Sequence, residues 1–268
     1  MTGFSAATGV KTAWVTGASS GIGAALALEL ASEGVLVAAT ARSGDKLSAL
    51  SAKAATQGGR IVAFEGDVTD ADGVKTIAAR IEAELGAIDL AVLNAGVFTP
   101  VAAAPFDLDA VRTTFDVNLG GTAACLAAIL PAMTARRSGR IVVVASVTGY
   151  GGLPSSAAYG ATKAGLINLA ESLKFDLDLW GVSIQIANPG FVDTPTTAQN
   201  KFKMPALLKP EDAARRIVKG IERGGFEITF PKRFTYVLKA LRLLPYPAYF
   251  WLIKKATGWD KKAGPGAS

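Results

Sequence analysis

Short apolar runs alternate with longer stretches of helical spacing along most of this chain. Residues 12–15, 35–39, 61–64, 90–93, 141–145 and 184–187 are near-continuous runs of small and branched apolar side chains. Runs of that kind fit strands buried on both faces. Between them, apolar positions recur every three or four residues over about 21–33, 45–57, 71–85, 108–137, 156–180 and 211–223, which predicts helices. Residues 226–230 read as a seventh strand. Strand–helix–strand repetition predicts an α/β fold: a single doubly wound Rossmann-type domain, with a parallel sheet of about seven strands and helices on both faces. No linker-like run of Gly, Ser or Pro interrupts residues 11–230, and no repeat occurs beyond the strand–helix rhythm. The expected division is therefore a body over 1–230 and a C-terminal extension over 231–268 that is not an independent domain. Residues 1–10 and 258–268, small, polar or glycine-rich, are expected to be mobile ends.

Composition narrows the chemistry. Half of the 268 residues are apolar and 19% are charged, enough for a large core and incompatible with a mostly disordered chain. There is no histidine, so the chain alone builds no Ser-His-Asp triad, no Cys-His dyad and no His-ligated metal site. With Cys125 as its single cysteine it has no internal disulfide and no multi-cysteine zinc site, and no metal is expected. A reducing, cytoplasmic location fits. The first ten residues lack the charged start and apolar run of a signal peptide. No window of about 18 consecutive apolar residues is found to span a bilayer.

The net charge of +6 is local. Residues 201–268 carry 15 Lys/Arg against 5 Asp/Glu, a net of +10, so residues 1–200 carry a net of −4. That distribution does not describe a nucleic-acid binder, and the basic stretch needs its own account. In the extension, Lys232, Arg233, Lys239 and Arg242 precede an apolar run over 243–253 that contains Pro245 and Pro247, and Lys254 and Lys255 follow it. The mixture of Lys/Arg with Leu, Tyr, Phe and Trp is that of a segment lying in a membrane interface. The favoured alternative is a tail packed over the substrate cleft or a subunit interface with its charges in water.

After the first strand comes Thr16-Gly17-Ala18-Ser19-Ser20-Gly21-Ile22-Gly23, and a helical run follows at once. Glycines at such a turn let the backbone approach a pyrophosphate, and the helix N-terminus offers free N–H groups. The spacing is Gly-x3-Gly-x-Gly, so on its own the turn is a weak signal. Gly17-Ala18-Ser19-Ser20-Gly21 also matches the Gly-x-Ser-x-Gly elbow of hydrolases. Without histidine that serine has no ordinary base, and the hydrolase reading is discarded.

Further motifs follow in order. Asn94-Ala95-Gly96 ends the fourth strand, Asn118 lies in the long helix after it, and Ser146 stands just past the fifth strand. Tyr159 and Lys163 form a Tyr-x3-Lys pair, and Asn188-Pro189-Gly190 ends the sixth strand, with Val192 and Thr194 beyond. Over about residues 11–230 this series resembles the short-chain dehydrogenase/reductase family, of its NADP-preferring type. The resemblance implies hydride transfer between NADP(H) and a carbonyl or secondary-alcohol substrate. It assigns catalysis to Asn118, Ser146, Tyr159 and Lys163. It assigns cofactor contact to Gly17, Ser19, Ser20, Gly21, Ile22, Gly23, Arg42, Ser43, Asp67, Val68, Asn94, Ala95, Gly96, Tyr159, Lys163, Pro189, Gly190, Val192 and Thr194. It also implies a homodimer or homotetramer built on the long helices.

Residue chemistry agrees with those roles. Tyr159 and Lys163 are four apart and share a helix face. A free phenol, with a pKa near 10, is a poor base at neutral pH. A neighbouring ammonium and an oxidised nicotinamide would favour the phenolate, so Tyr159 is expected to have a lowered pKa and to exchange a proton with the substrate oxygen. Ser146 can hold that oxygen. By resemblance, Lys163 also binds the nicotinamide ribose and Asn118 holds a water that links Lys163 to solvent. Singly, each residue has a plain structural reading: Tyr159 as packing, Lys163 as a solvated charge, Ser146 and Asp67 as turn or cap residues.

The second strand ends in Ala41-Arg42-Ser43. Ala41 stands where NAD-preferring relatives carry Asp, and Arg42 is suited to the 2′-phosphate of NADP(H). NAD(H) is therefore the less favoured cofactor. The glycine turn departs from the NADP pattern, with Ser20 where a basic residue is common. Substrate-facing segments are expected at 147–154 and 195–205, with no carboxylate or base in the first and Lys201 and Lys203 in the second. They favour an apolar substrate, and 194–208 has the composition of a lid. The rival to an enzyme is a dinucleotide-binding sensor or scaffold without turnover.

Overall fold

The computed structural model describes residues 3–195, 197 and 204–259. In it the apolar runs form strands β1 (Thr12–Thr16), β2 (Leu36–Ala41), β3 (Arg60–Glu65), β4 (Leu90–Leu93), β5 (Gly139–Val144), β6 (Val182–Pro189) and β7 (Glu227–Phe230). All six strand pairings are parallel, in the order β3-β2-β1-β4-β5-β6-β7. The order in which successive strands are laid down reverses at β1, which pairs Val15 with Ala39 of β2 on one side and with Val92 of β4 on the other. A crevice opens beyond the carboxyl ends of the strands at such a switch point, and it takes the ligand in open α/β sheets.

Helices cover both faces. On one, α2 (Gly21–Ser32), α3 (Gly44–Thr56) and α8 (Pro210–Arg223) bury Leu26, Leu30, Leu47, Ile217 and Ile221 against Val15, Val37 and Val142. On the other, α4 (Ala71–Leu85), α6 (Gly121–Ala135) and α7 (Ala157–Leu179) bury Ile77, Ile81, Leu126, Ile129 and Leu166 against Trp14, Ala91 and Ile141. Strand side chains alternate between these cores, so Val15 and Trp14 part company. Trp14 keeps its one polar atom satisfied by donating from Nε1 to Thr40 Oγ1 at 2.9 Å.

Two sequence expectations need correction. The N-terminal segment is not a loose end: α1 (Phe4–Thr8) buries Phe4, at 3% exposure, and Val10 beyond it is buried, at 1%, in the same core. Phe4 N donates to Glu33 Oε2 at 2.9 Å, and Gly9 at φ 74° ends the helix. The helix predicted over 108–137 is α5 (Leu108–Phe115), one π-helical stretch (Asp116–Gly120) and then α6. A π turn inserts an extra residue per turn and re-aims side chains. Here it sends Asn118 inward to complete burial. This continuous helix, Leu108–Ala135, is also long and apolar enough to cross a bilayer by length and composition, although it has no uninterrupted apolar run. Its apolar inner side belongs to the second core, where Cys125, Leu126, Ile129 and Met133 are buried.

The extension is helical, and its prolines stand at helix starts. Pro231 precedes α9 (Lys232–Leu241) and Pro245 precedes α10 (Tyr246–Thr257), positions where the missing N–H costs nothing. Gly258, at φ 65°, caps α10. The remainder of the expected C-terminal mobile end, 260–268, lies outside the described residues, as do Lys201 and Lys203. The expected lid is tied at its described base: Asp193 N donates to Leu208 O at 2.8 Å and Leu208 N to Phe191 O at 3.0 Å.

Candidate active site

The crevice is a cavity of about 1420 Å³ running from the β1–α2 turn to the C-terminal helices. Gly17 and Gly21 hold φ of 66° and 55°, a region that side chains strain to enter. A Cβ on Gly23 would lie 2.3 Å from the Gly17 carbonyl oxygen, so this position must be bare for the turn to close. Asn94 locks the turn: its Nδ2 donates to Thr16 O at 3.1 Å and Gly17 O at 3.3 Å. In return, Thr16 Oγ1 accepts from the backbone N–H groups of Asn94 and Ala95. Ser20 stands at the N-cap of α2 but makes no side-chain cap bond, so the helix end keeps donors for a ligand. A cradle that a Cβ would fill, beneath an uncapped helix of 12 residues, fits a pyrophosphate. Ser19, Ser20, Gly21 and Ile22 line it, whereas Gly23 sits behind and acts through space alone.

At the β2 end, Arg42, Ser43, Asp67 and Val68 also line the cavity. Arg42 Nη1 is 3.9 Å from Asp67 Oδ2, with 73% of the arginine side chain exposed, so the pair is loose and the guanidinium can turn to another anion. Asp67 Oδ1 accepts from Thr69 N at 3.0 Å and Thr69 Oγ1 at 2.9 Å, so the turn-forming role is present beside the cavity. Ser43 opens α3 without a side-chain cap bond. Lys46, on the first turn of that helix, is a second cation lining this end. Sequence reasoning missed it. The available signal was the four-residue step from Arg42, once the helix start at Gly44 is known.

The other end gathers Ser146, Tyr159 and Lys163. Ser146 caps the short turn Val147–Gly149, accepting from Thr148 N at 3.2 Å, and lines the cavity as well. Lys163 is buried at 3% exposure, with Nζ donating to Val144 O at 2.8 Å and lying 5.4 Å from the centre of the Tyr159 ring. Burial pulls its pKa down to about 8. Burial also pushes Tyr159 up to about 12, against a downward pull from the Ser146 hydroxyl. The expected lowering of the phenol is thus reversed in the chain by itself, because desolvation outweighs what the neighbouring residues return. Phe98 meets Tyr159 edge-on at 5.3 Å and fixes the ring.

Asn118 stands behind this group, fully buried. Its Oδ1 accepts from Val97 N at 2.8 Å, and its Nδ2 donates to Val97 O at 3.1 Å and to Thr162 Oγ1 at 3.0 Å. It ties the segment after β4 to α7. A Cβ on Gly96 would fall 3.2 Å from Asn118 Oδ1 and 3.5 Å from Lys163 Nζ, so the bare residue leaves room between them. Ala95, Gly96, Pro189, Gly190, Val192 and Thr194 line the cavity between the two ends. Thr194 Cγ2 lies 3.0 Å from the Cβ position of Gly21, which places it over the glycine turn.

Walls beyond Tyr159 are apolar. Leu153 and Pro154 follow β5, Phe191 follows β6, and Phe234, Leu238, Leu241 and Ile253 come from α9 and α10. Sequence reasoning placed the tail over the cleft as one alternative but named none of these side chains. A polar knot fastens α9. Tyr150 Oη donates to Glu227 Oε1 at 2.5 Å, Asn188 Nδ2 donates to the same oxygen at 2.8 Å, and Lys239 pairs with Oε2. These bonds hold the Glu227 carboxyl below its ordinary range despite burial. Tyr249 Oη donates to Gly152 O at 2.9 Å and ties α10 to the loop after β5. No cluster of three or more His, Cys, Asp or Glu suited to a metal occurs among the described residues.

Comparison with known proteins agrees with this geometry. The model of the family described as short chain dehydrogenase matches residues 11–204. An uncharacterized oxidoreductase of Myxococcus xanthus is 42% identical over 239 residues, covering 89% of this chain and 94% of the relative. The cis-4-hydroxycyclohexanecarboxylate dehydrogenase of Sinomonas cyclohexanicum is 36% identical over 216 residues, 80% of this chain and 84% of that one. Among solved structures, an alcohol dehydrogenase of Thermococcus sibiricus complexed with 5-hydroxy-NADP superposes with a TM-score of 0.75 at 26% identity, covering 82% of this chain and 96% of that one.

Proposed function

The chain belongs to the short-chain dehydrogenase family, and from that premise we propose an NADP(H)-dependent oxidoreductase acting on an apolar carbonyl compound or its secondary alcohol. The observation that carries the reading is the convergence of Ser146, Tyr159 and Lys163 at one end of a cavity whose other end is the glycine turn. When bound, the dinucleotide supplies the hydride. The glycine turn and the N-terminus of α2 hold its pyrophosphate. Lys163, anchored on Val144 O, is placed to bind the ribose. Tyr159 Oη gives a proton to the substrate oxygen in reduction and takes it in oxidation, while Ser146 Oγ holds that oxygen by a hydrogen bond. Asn118, its side chain bonded to Val97 and Thr162, holds the segment after β4 against α7 behind Lys163.

Preference for NADP(H) is supported by Ala41, which presents no carboxylate at the end of β2, and by Arg42 and Lys46 at the same end. A relative solved with an NADP derivative points the same way. An apolar substrate is supported by the Phe191, Phe234, Leu238 and Leu241 walls, with no charged side chain among them. A homodimer or homotetramer on the α5–α7 face is supported by Phe175 and Leu179, exposed at 78% and 72%. A shallow groove of about 490 Å³ between the helices, lined by Leu119, Ala123, Gly165 and Leu169, adds to that support.

The test is a panel of aliphatic and aromatic ketones with NADPH and NADH, following absorbance of the reduced nicotinamide. Turnover of apolar ketones with NADPH is expected. Tight cofactor binding with no turnover on any member would favour the sensor reading instead.

A further inference from the structure

The two C-terminal helices have an inner face and an outer one. Inward, Phe234, Leu238 and Ile253 wall the cleft. Outward, Leu243 is 86% exposed, Tyr246 60%, Trp251 59% and Phe250 52%. Single exposed apolar residues are ordinary, but a contiguous group of large ones marks a contact surface. Around it, residues 231–259 carry six basic residues and no acidic one. Lys239 is committed to Glu227, whereas Lys232, Arg233, Lys254 and Lys255 have no ion-pair partner among the described residues.

The arrangement of cations and rings identifies what the surface meets. Arg242 lies 5.5 Å over the Tyr246 ring and Lys255 4.7 Å over that of Trp251, so charges and aromatic faces occupy one layer. Tyr246 and Phe250 stack at 5.9 Å within the same layer. Rings that settle at headgroup depth, aliphatic side chains that reach deeper and cations that meet anionic headgroups make up an interfacial surface. A second copy of this chain would bring its own uncompensated basic residues against these, which like-charge repulsion opposes.

We propose that the outer face of α9 and α10 docks on an anionic lipid bilayer.

The test is sedimentation of the full chain with phosphatidylcholine vesicles, with and without phosphatidylglycerol, at low and high salt. Binding is expected only with phosphatidylglycerol, weakening as salt screens the charges. Replacing Arg242, Lys254 and Lys255 together by Gln should lower partitioning about tenfold or more. The unmodified chain should show a blue shift of tryptophan fluorescence with vesicles, and the pair Phe250→Ser and Trp251→Ser should lower both binding and that shift. Cofactor binding by both variants, unchanged, verifies folding. Failure to bind phosphatidylglycerol vesicles, equal binding to neutral ones, or binding untouched by either variant would overturn the proposal. So would a serine pair that converts an oligomer to a monomer and leaves vesicle binding as before.

Discussion

Lys163 follows Tyr159 by one turn of α7 and sets its Nζ over the tyrosine ring, 5.4 Å from the centroid, while donating to the carbonyl of Val144. Strand β5 thus holds the ammonium, and the tyrosine meets a cation whose position is set by backbone. Tyr159→Phe removes the hydroxyl and leaves this anchor in place. Turnover should fall by about 10² to 10⁴ with cofactor affinity nearly unchanged. Steady-state kinetics and calorimetry on the same preparation check both halves. A Phe variant with near-normal turnover would remove Tyr159 from the proton path.

The depressed pKa of Lys163 has a consequence for stability. At about 8 in the folded chain it lies below the ordinary 10.5, so the unfolded chain binds this proton more tightly. Below pH 8 the folded state carries the full cost of a buried ammonium. Between pH 8 and 10.5 that cost fades, and stability from this group rises with pH. Tyr159, raised from 10 to about 12, is neutral in both states up to pH 10 and acts in the opposite direction only above it. Urea unfolding of the cofactor-free protein against Lys163→Met from pH 7 to 10 should show the wild type gaining about 1–3 kcal/mol relative to the variant. Parallel curves would show that the amine is not desolvated.

Glu227 is the fastening of α9, gathering Tyr150, Asn188 and Lys239 on one carboxylate. Its pKa is lowered, so its contribution is present above the ordinary carboxylate range and is lost as pH falls through the folded value. Glu227→Gln should cost about 1–3 kcal/mol and speed amide exchange in α9 more than in the sheet. KM for an apolar substrate should rise, since Phe234 and Leu238 ride on that helix. Uniform exchange across the chain would show that the knot does not hold the wall.

Cofactor choice turns on a small area past β2. Arg42 is only loosely engaged by Asp67, and Lys46 stands nearby. Replacing Arg42 by Ala should weaken NADPH about ten- to a hundredfold and NADH little, with Lys46→Ala a smaller effect in the same direction. Ala41→Asp combined with Arg42→Ala should reverse the preference. Titration calorimetry with both cofactors is the measurement, and equal affinities in the unmodified protein would rule the assignment out.

The α/β fold could be read directly along the chain. Continuous apolar runs have few places to go except strands buried on both faces, and β4 and α4 occur at the predicted residues. The glycine turn and the Tyr159–Lys163 pair were legible from local geometry, positive φ at a strand end and a four-residue step on a helix, whereas Ser146 was named through the family resemblance. What the chain pattern could not decide depends on contacts far apart in sequence. Phe4 is buried because a core lies beside it, 29 residues from the Glu33 carboxylate that accepts its N–H. Asn118 faces inward because a π turn lies against Val97 and Thr162, 21 and 44 residues away. Tyr159 titrates upward because tertiary packing strips its water, a desolvation that no spacing encodes. The tail shows the division most plainly. Its composition announced an amphipathic segment, but only the ends of β5, β6 and β7 determine which side becomes the wall of the cleft and which remains in water.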